Sequence, residues 1–175
     1  MRHSDHVSLI RKGVPSYGGI WADLGSGEGA FTLALAELLG PGGVIYSVDK
    51  NGRALEQQRA AFARRFPAAE VHYHKADFRQ HLSFLPRLDG LLMANSLHFI
   101  ERKEQLLKQL MGYLGENGRF LLVEYSSDHG NRWVPYPLAY SSWQSLAGRV
   151  GFSRTVLLDT YPGRFLGGFY AALSS

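Results

Sequence analysis

Trp21-Ala22-Asp23-Leu24-Gly25-Ser26-Gly27-Glu28-Gly29-Ala30-Phe31 is the stretch on which the fold turns. Residues 20–24 are a short apolar run that reads as a strand, and residues 30–39 (AFTLALAELL) are apolar nearly all round, as in a buried helix. Between them stand three glycines spaced by two. Glycine there lets a ligand approach the backbone, and the helix end offers free N–H groups. Read strictly, Gly25-x-Gly27-x-x-Ala30 also fits the dinucleotide fingerprint with its permitted alanine. The loop alone therefore leaves two ligand classes open, and a tight ligand-free turn as a third reading.

Outward from the loop, strand and helix patterns alternate. Gly40-Pro41-Gly42-Gly43 stops the first helix. Residues 44–48 (VIYSV) read as a strand, and 53–66 as an amphipathic helix with Leu55, Arg59, Phe62 and Phe66 on one face. Pro67 ends it. Strands follow at 71–75, 89–94 and 118–125, with a short helix expected at 79–85 and a longer one at 101–114. A helix at 142–149 then leads to strands 153–159 and 165–173, joined by Tyr161-Pro162-Gly163-Arg164. Two strands with no helix between them form an antiparallel hairpin. The expected fold class is α/β: a three-layer Rossmann-like sandwich with a mostly parallel sheet. Its 175 residues suit a single domain over 1–175.

Composition narrows the chemistry. The chain has no cysteine, which removes a disulfide framework, a thiolate nucleophile and a Cys-type zinc site. No apolar run reaches transmembrane length, and the segment MRHSDHVSLIRKG lacks a signal-like apolar core, so a soluble cytoplasmic protein is expected. The net charge is +4, and the 14 arginines are scattered instead of clustered, so no nucleic-acid surface is expected.

Polar residues sit at four successive strand ends: Asp23, Asp49 (20 residues after Gly29), Asp77 and Asn95. That is the carboxyl edge, where open α/β sheets bind ligands. With DLGSGEG (23–29), VIYSVDKN (44–51), KADF (75–78), LDGLLMANSLHFI (88–100), LGENGRFLLVEY (114–125) and the terminal hairpin, the chain resembles the class I S-adenosylmethionine-dependent methyltransferases over residues 7–173. The resemblance implies strand order 3-2-1-4-5-7-6 with an antiparallel last strand. It implies S-adenosylmethionine as cofactor and S-adenosylhomocysteine as product. Gly25, Ser26, Gly27 and Gly29 would wrap the methionine part, and Asp23 would face its amino group. Asp49 would accept the ribose hydroxyls, Asp77 the adenine amine, and Phe78 would meet the adenine. Lys50 would pack near the adenine, with a solvated lysine as the rival reading, and Asn95 and Ser96 would lie near the sulfonium.

Methyl transfer needs orientation and, for some acceptors, a base. His98, just past the fourth strand, is the catalytic candidate; the rival reading is a histidine that caps the strand. Tyr17, Glu124, Trp133 and Tyr136 are the candidate substrate-binding residues, the last two from an aromatic stretch, 126–143, expected to roof the acceptor pocket. His72 and His74 alternate on one strand without a third ligand, so no metal is expected. The expected partner is a small-molecule acceptor, with no membrane and a monomer or homodimer. RNA or protein acceptors, a nicotinamide oxidoreductase and a non-catalytic binding module stay open as alternatives.

Overall fold

Trp21, Leu92, Leu121 and Val123 point to one face of a sheet, and Ala22, Leu91, Met93, Phe120 and Leu122 to the other; all are buried. Strands this apolar on both sides demand helices on both sides. The computed structural model, which describes residues 1–14 and 17–175, supplies them. Its sheet has seven strands: β1 (Gly19–Leu24), β2 (Gly43–Asp49), β3 (Glu70–Lys75), β4 (Leu88–Ala94), β5 (Leu114–Tyr125), β6 (Thr155–Tyr161) and β7 (Phe169–Ser174). They lie in the order β3-β2-β1-β4-β5-β7-β6, parallel except for β7, which is antiparallel to both neighbours. Helices α1 (His3–Ile10), α2 (Ala30–Leu39) and α3 (Gly52–Arg65) cover one face. Helices α4 (Lys103–Met111) and α5 (Tyr140–Val150) cover the other. Fold class and strand order agree with the sequence expectation.

Several details differ. Residues 79–85 form turns and no helix, because Asp77 engages Arg79 and the following Leu82 amide is taken by the Tyr113 hydroxyl at 2.8 Å. The expected last strand begins at Phe169 instead of 165: Phe165–Gly167 is a 3-10 turn with Leu166 at φ 48°. The N-terminal segment, given no structure from its sequence, holds α1, which packs Val7, Leu9 and Ile10 onto α2 and the β6 side of the sheet. Arg59 lies over the Tyr73 ring at 4.4 Å, a cation–π contact that lets a charged residue share the apolar side of α3. Among the described residues, no helix is long and apolar enough to cross a membrane.

Candidate functional site

The parallel strands all aim their carboxyl ends at one edge, and a cleft of about 370 Å³ opens there. Its walls are Gly25 after β1, Asp49 and Lys50 after β2, Ala76 to Arg79 after β3, and Asn95, Ser96, Phe99 and Ile100 after β4. Seven of the residues expected to meet the cofactor therefore converge: Gly25, Asp49, Lys50, Asp77, Phe78, Asn95 and Ser96. A more open depression of about 640 Å³ on the outer surface of α4 and α5 is lined by mixed charges, including Glu101, Lys108 and Arg149, and lacks this convergence.

The glycine loop doubles back onto β2. Gly25 and Ser26 donate their amides to the Val48 carbonyl at 2.8 and 3.2 Å. Gly25 sits at φ 76°, and a Cβ there would strike Ser96. Gly27, at φ 54°, faces open space. Any side chain would be strained at the first and would occupy ligand space at the second. Gly29 is packed against Gln58. Gln58, fully buried on α3, accepts from the Ser47 hydroxyl at 2.7 Å and donates to the Gly27 carbonyl at 3.2 Å. Ser26 lies 2.8 Å from the Ser47 hydroxyl and so faces into this network. Gln58 had no sequence signal as a site residue, since a glutamine on an amphipathic helix reads as solvent-facing.

The carboxylates differ sharply. Asp49 accepts the Gly27 amide at 2.8 Å on one oxygen and the Asn51 amide at 2.7 Å on the other. A carboxylate has about four lone-pair directions, so acceptor capacity remains for a ligand. Asp77 is held by Arg79, whose Nε is 2.9 Å from both oxygens, and this guanidinium keeps its carboxyl below the ordinary range. Asp23 is 1% exposed and takes the Thr32 hydroxyl at 2.6 Å. Burial, with Asp49 adding to it against the Thr32 bond, pushes its carboxyl up to about 7. Asn95 adopts φ 53°, an uncommon conformation for a residue other than glycine, and its buried Oδ1 has no hydrogen-bond partner. Ser96 donates its hydroxyl to the Leu24 carbonyl at 2.7 Å, fastening the end of β1 to the β4 loop.

The acceptor-side residues fare less uniformly. His98 is 3% exposed; its Nδ1 lies 2.9 Å from Glu124 Oε1, and its amide donates to Oε2 at 3.0 Å. Glu124 also takes the Tyr125 amide at 2.9 Å and has no exposed surface. It is therefore corrected from a substrate contact to an internal anchor. Tyr17 is also corrected. It is 78% exposed and lies against Gly40, before β2, on the amino edge of the sheet and opposite the cleft. Tyr136 donates its amide to the His98 carbonyl at 3.0 Å, and Lys103 bonds both the Tyr136 and Ile100 carbonyls, so the 126–139 loop is tied to the cleft wall. Trp133 is 72% exposed, whereas Trp143 of the same aromatic stretch is fully buried against Phe120 and Phe152. His72 pairs with Glu70, and His74 stacks on Phe84.

A glycine-rich turn closes on β2, and an acidic residue stands at the end of each of the first two strands. The family described as "Methyltransferase domain" matches residues 22–120. The chain belongs to that methyltransferase family. S-adenosylmethionine is the methyl donor that goes with it. A ubiquinone/menaquinone biosynthesis C-methyltransferase from Azotobacter vinelandii is 29% identical over 130 residues, covering 73% of this chain and 51% of the relative. The chain thus spans about half the length of the curated relatives it matches. Among solved structures, a candidate O-methyltransferase from Nostoc punctiforme PCC 73102 superposes with TM-score 0.77 at 18% identity, over 97% of this chain and 55% of that one. The magnesium protoporphyrin IX methyltransferase of Synechocystis PCC 6803, solved with bound S-adenosylmethionine, superposes with TM-score 0.70 at 16% identity, over 99% and 78%.

Proposed function

We propose that the chain, acting as one domain over residues 1–175, moves the methyl group of S-adenosylmethionine to a small-molecule acceptor. The observation that carries this reading is the convergence of Gly25, Asp49, Asp77 and Asn95 on one cleft beside an open glycine turn, with the buried Asp23 on the strand that leads into that turn. The residues suit the cofactor's chemistry. A buried carboxyl, Asp23, answers a cationic amine; Asp49 has lone pairs to spare for two ribose hydroxyls; Ala76, Phe78 and Ile100 offer an apolar wall for a purine. Gly25, Gly27 and Gly29 shape the turn, with Ser26 supporting it from inside. Free amides of the first turn of α2 favour the amino-acid carboxylate. Asp77 and its partner Arg79 stand beside the purine wall, with the Lys50 stem next to them. Asn95 and Ser96 lie where the reacting centre would sit.

When bound, S-adenosylmethionine supplies an activated methyl carbon; the acceptor's electron pair makes the new bond, and the carbon–sulfur pair returns to sulfur, leaving S-adenosylhomocysteine. The chain's own contribution is alignment and exclusion of water. His98 is the group placed to take a proton. Trp133 and Tyr136, on the loop fastened to His98 and Ile100, cover the acceptor. The small-molecule relatives and the absence of clustered basic residues favour a small acceptor over RNA or protein.

Calorimetric titration with S-adenosylhomocysteine tests the donor half: micromolar binding is expected, and NADH binding in its place would overturn it. Replacing Trp133 and Tyr136 by alanine should raise the acceptor KM while leaving S-adenosylhomocysteine affinity within about twofold, as expected for residues outside the donor cleft. Equal losses for both ligands would refute the covering role.

A further inference from the structure

We infer that the carboxyl ends of β4, β5 and the β6–β7 connection form an acceptor subsite for a flat, hydroxyl-bearing conjugated molecule such as a phenol or enol, with Glu124 as the positioning residue for His98. This rests on the methyltransferase reading above. The starting observation is the buried pair. Glu124 accepts three hydrogen bonds, from the His98 amide, from His98 Nδ1 and from the Tyr125 amide. An unprotonated Nδ1 would set its lone pair against a carboxylate, so the Glu124 contact assigns the proton to Nδ1. Nε2 is then the lone-pair nitrogen. It has no hydrogen-bond partner among the described residues, and it is not sealed from solvent.

The neighbours of the His98 ring are aromatic. The His98 ring is flanked by Phe99 at 4.3 Å and Tyr125 at 5.5 Å. Tyr125 in turn meets Phe165 edge-on at 5.4 Å and Phe169 at 4.5 Å. Phe99 and Phe165 are 59% and 50% exposed, unusual for phenylalanine, and Phe99 is also a wall of the donor cleft. Phe165 is held out by a turn that places Leu166 at φ 48°. The imidazole acceptor and the Tyr125 hydroxyl, set beside the exposed Phe99 and Phe165 faces, suit a planar apolar molecule that carries a donor group. A small aliphatic acceptor would leave those faces wet. In the transfer, the acceptor hydroxyl gives its proton to Nε2 as its oxygen forms the bond to the methyl carbon and the carbon–sulfur bond breaks with its pair on sulfur; where the conjugated ring carbon makes the bond instead, that carbon's hydrogen then passes through solvent to the oxygen and restores the ring. The sulfonium charge is thereby replaced by one proton on the imidazole, which later passes to solvent, and Glu124 stabilises that imidazolium without itself leaving its three bonds.

The probe is naphthol, with methoxynaphthalene as its donor-less twin, bound to the full chain in the presence of S-adenosylhomocysteine and followed by tyrosine and tryptophan fluorescence. Wild type should prefer naphthol by tenfold or more, because Nε2 is left unpaired by the ether. Phe165→Ala should weaken both probes several-fold together. His98→Ala should abolish the preference. Glu124→Gln tests the positioning role through nitrogen-15 chemical shifts of His98: the wild type should show the proton on Nδ1, and the variant should move it toward Nε2. Since Glu124→Gln and His98→Ala disturb a buried pair, the wild-type tautomer and the exposed Phe165→Ala variant decide the matter without them. Equal affinity for the two probes, or a wild-type proton on Nε2, overturns the inference. Failure of S-adenosylhomocysteine to bind would instead overturn the methyltransferase reading.

Discussion

Asp23 gives the sharpest quantitative prediction, because its carboxyl is buried with one hydroxyl partner, Thr32, and raised from 3.8 to about 7. Folding lifts its proton affinity, so between those two values the native state binds the proton and the unfolded chain does not. Stability must therefore fall as pH rises from about 4 to about 7, and the full cost of the buried carboxylate is present above 7. At about 1.4 kcal/mol for each tenfold change in proton affinity, the cost comes to about 4 kcal/mol, a large part of a typical domain's 5–15 kcal/mol. Asp23→Asn removes the titration and keeps an oxygen to accept from Thr32. Urea unfolding of both proteins from pH 4 to pH 8 measures it. The variant should gain about 4 kcal/mol relative to wild type across that range, with equal m-values. His6 and His74, both held below the usual histidine range by burial, titrate in both proteins and cancel in the difference. A difference flat to within about 1 kcal/mol would show that Asp23 is not desolvated, and would remove the argument that a cationic ligand amine is what its ionised form awaits.

Asp49→Ala should weaken S-adenosylhomocysteine binding about 100-fold by calorimetry, since hydrogen bonds to a charged group contribute about 1.5–3 kcal/mol each, and it also frees the Gly27 amide. Gln58→Ala should cost about 1–3 kcal/mol in urea unfolding by leaving the Gly27 carbonyl without its partner and the Ser47 hydroxyl with Ser26 alone, and S-adenosylhomocysteine affinity should drop with it although Gln58 does not line the cleft. Ser96→Ala removes the bond to the Leu24 carbonyl; turnover should fall by an order of magnitude or more while S-adenosylhomocysteine affinity changes by less than threefold, and an unchanged kcat would refute the alignment role.

The architecture was legible because strands buried on both faces, such as LDGLLMA, leave no choice but a parallel sheet between helices, and the glycine turn marks which edge carries the ligand. What escaped has specific causes. In α1, Val7, Leu9 and Ile10 are preceded by Asp5 and His6 and broken by Ser8, too thin an apolar stripe to register, yet the edge-on His6–Phe31 contact at 4.7 Å and a His3–Glu37 bond at 2.7 Å complete the fit to α2. Trp133 and Trp143 are indistinguishable by composition; helical register in α5 buries one, and a loop stabilised by Asn131 exposes the other. Glu124 was misplaced because a carboxylate at a strand end looks like a ligand contact until its three internal bonds are seen. Tyr17 lies away from the cleft because it just precedes β1, at the amino edge of a parallel sheet whose ligands gather at the carboxyl edge.

The cleft divides along the sheet. The ends of β1, β2 and β3 carry the carboxylates and the glycine turn that line it, while beside it the ends of β4, β5 and the β6–β7 connection carry His98 and the aromatic rings of the acceptor subsite inferred above. Residues 95–100 are the segment common to both halves, and they are bonded in every direction: Asn95 to the Val123 carbonyl at 2.9 Å, Ser96 to β1, His98 to Glu124, and the His98 carbonyl to Tyr136. Its first residue holds an unfavourable φ and an unsatisfied oxygen. Strain of that kind, about 1–3 kcal/mol, persists only where the surroundings dictate the backbone. In-line transfer depends on the distance and angle between donor and acceptor, and an error of about 1 Å can cost about 100-fold in rate. On the methyltransferase reading proposed above, the segment that would set that distance is one the fold restrains heavily, and acceptor choice would vary with the aromatic rim without disturbing the donor side.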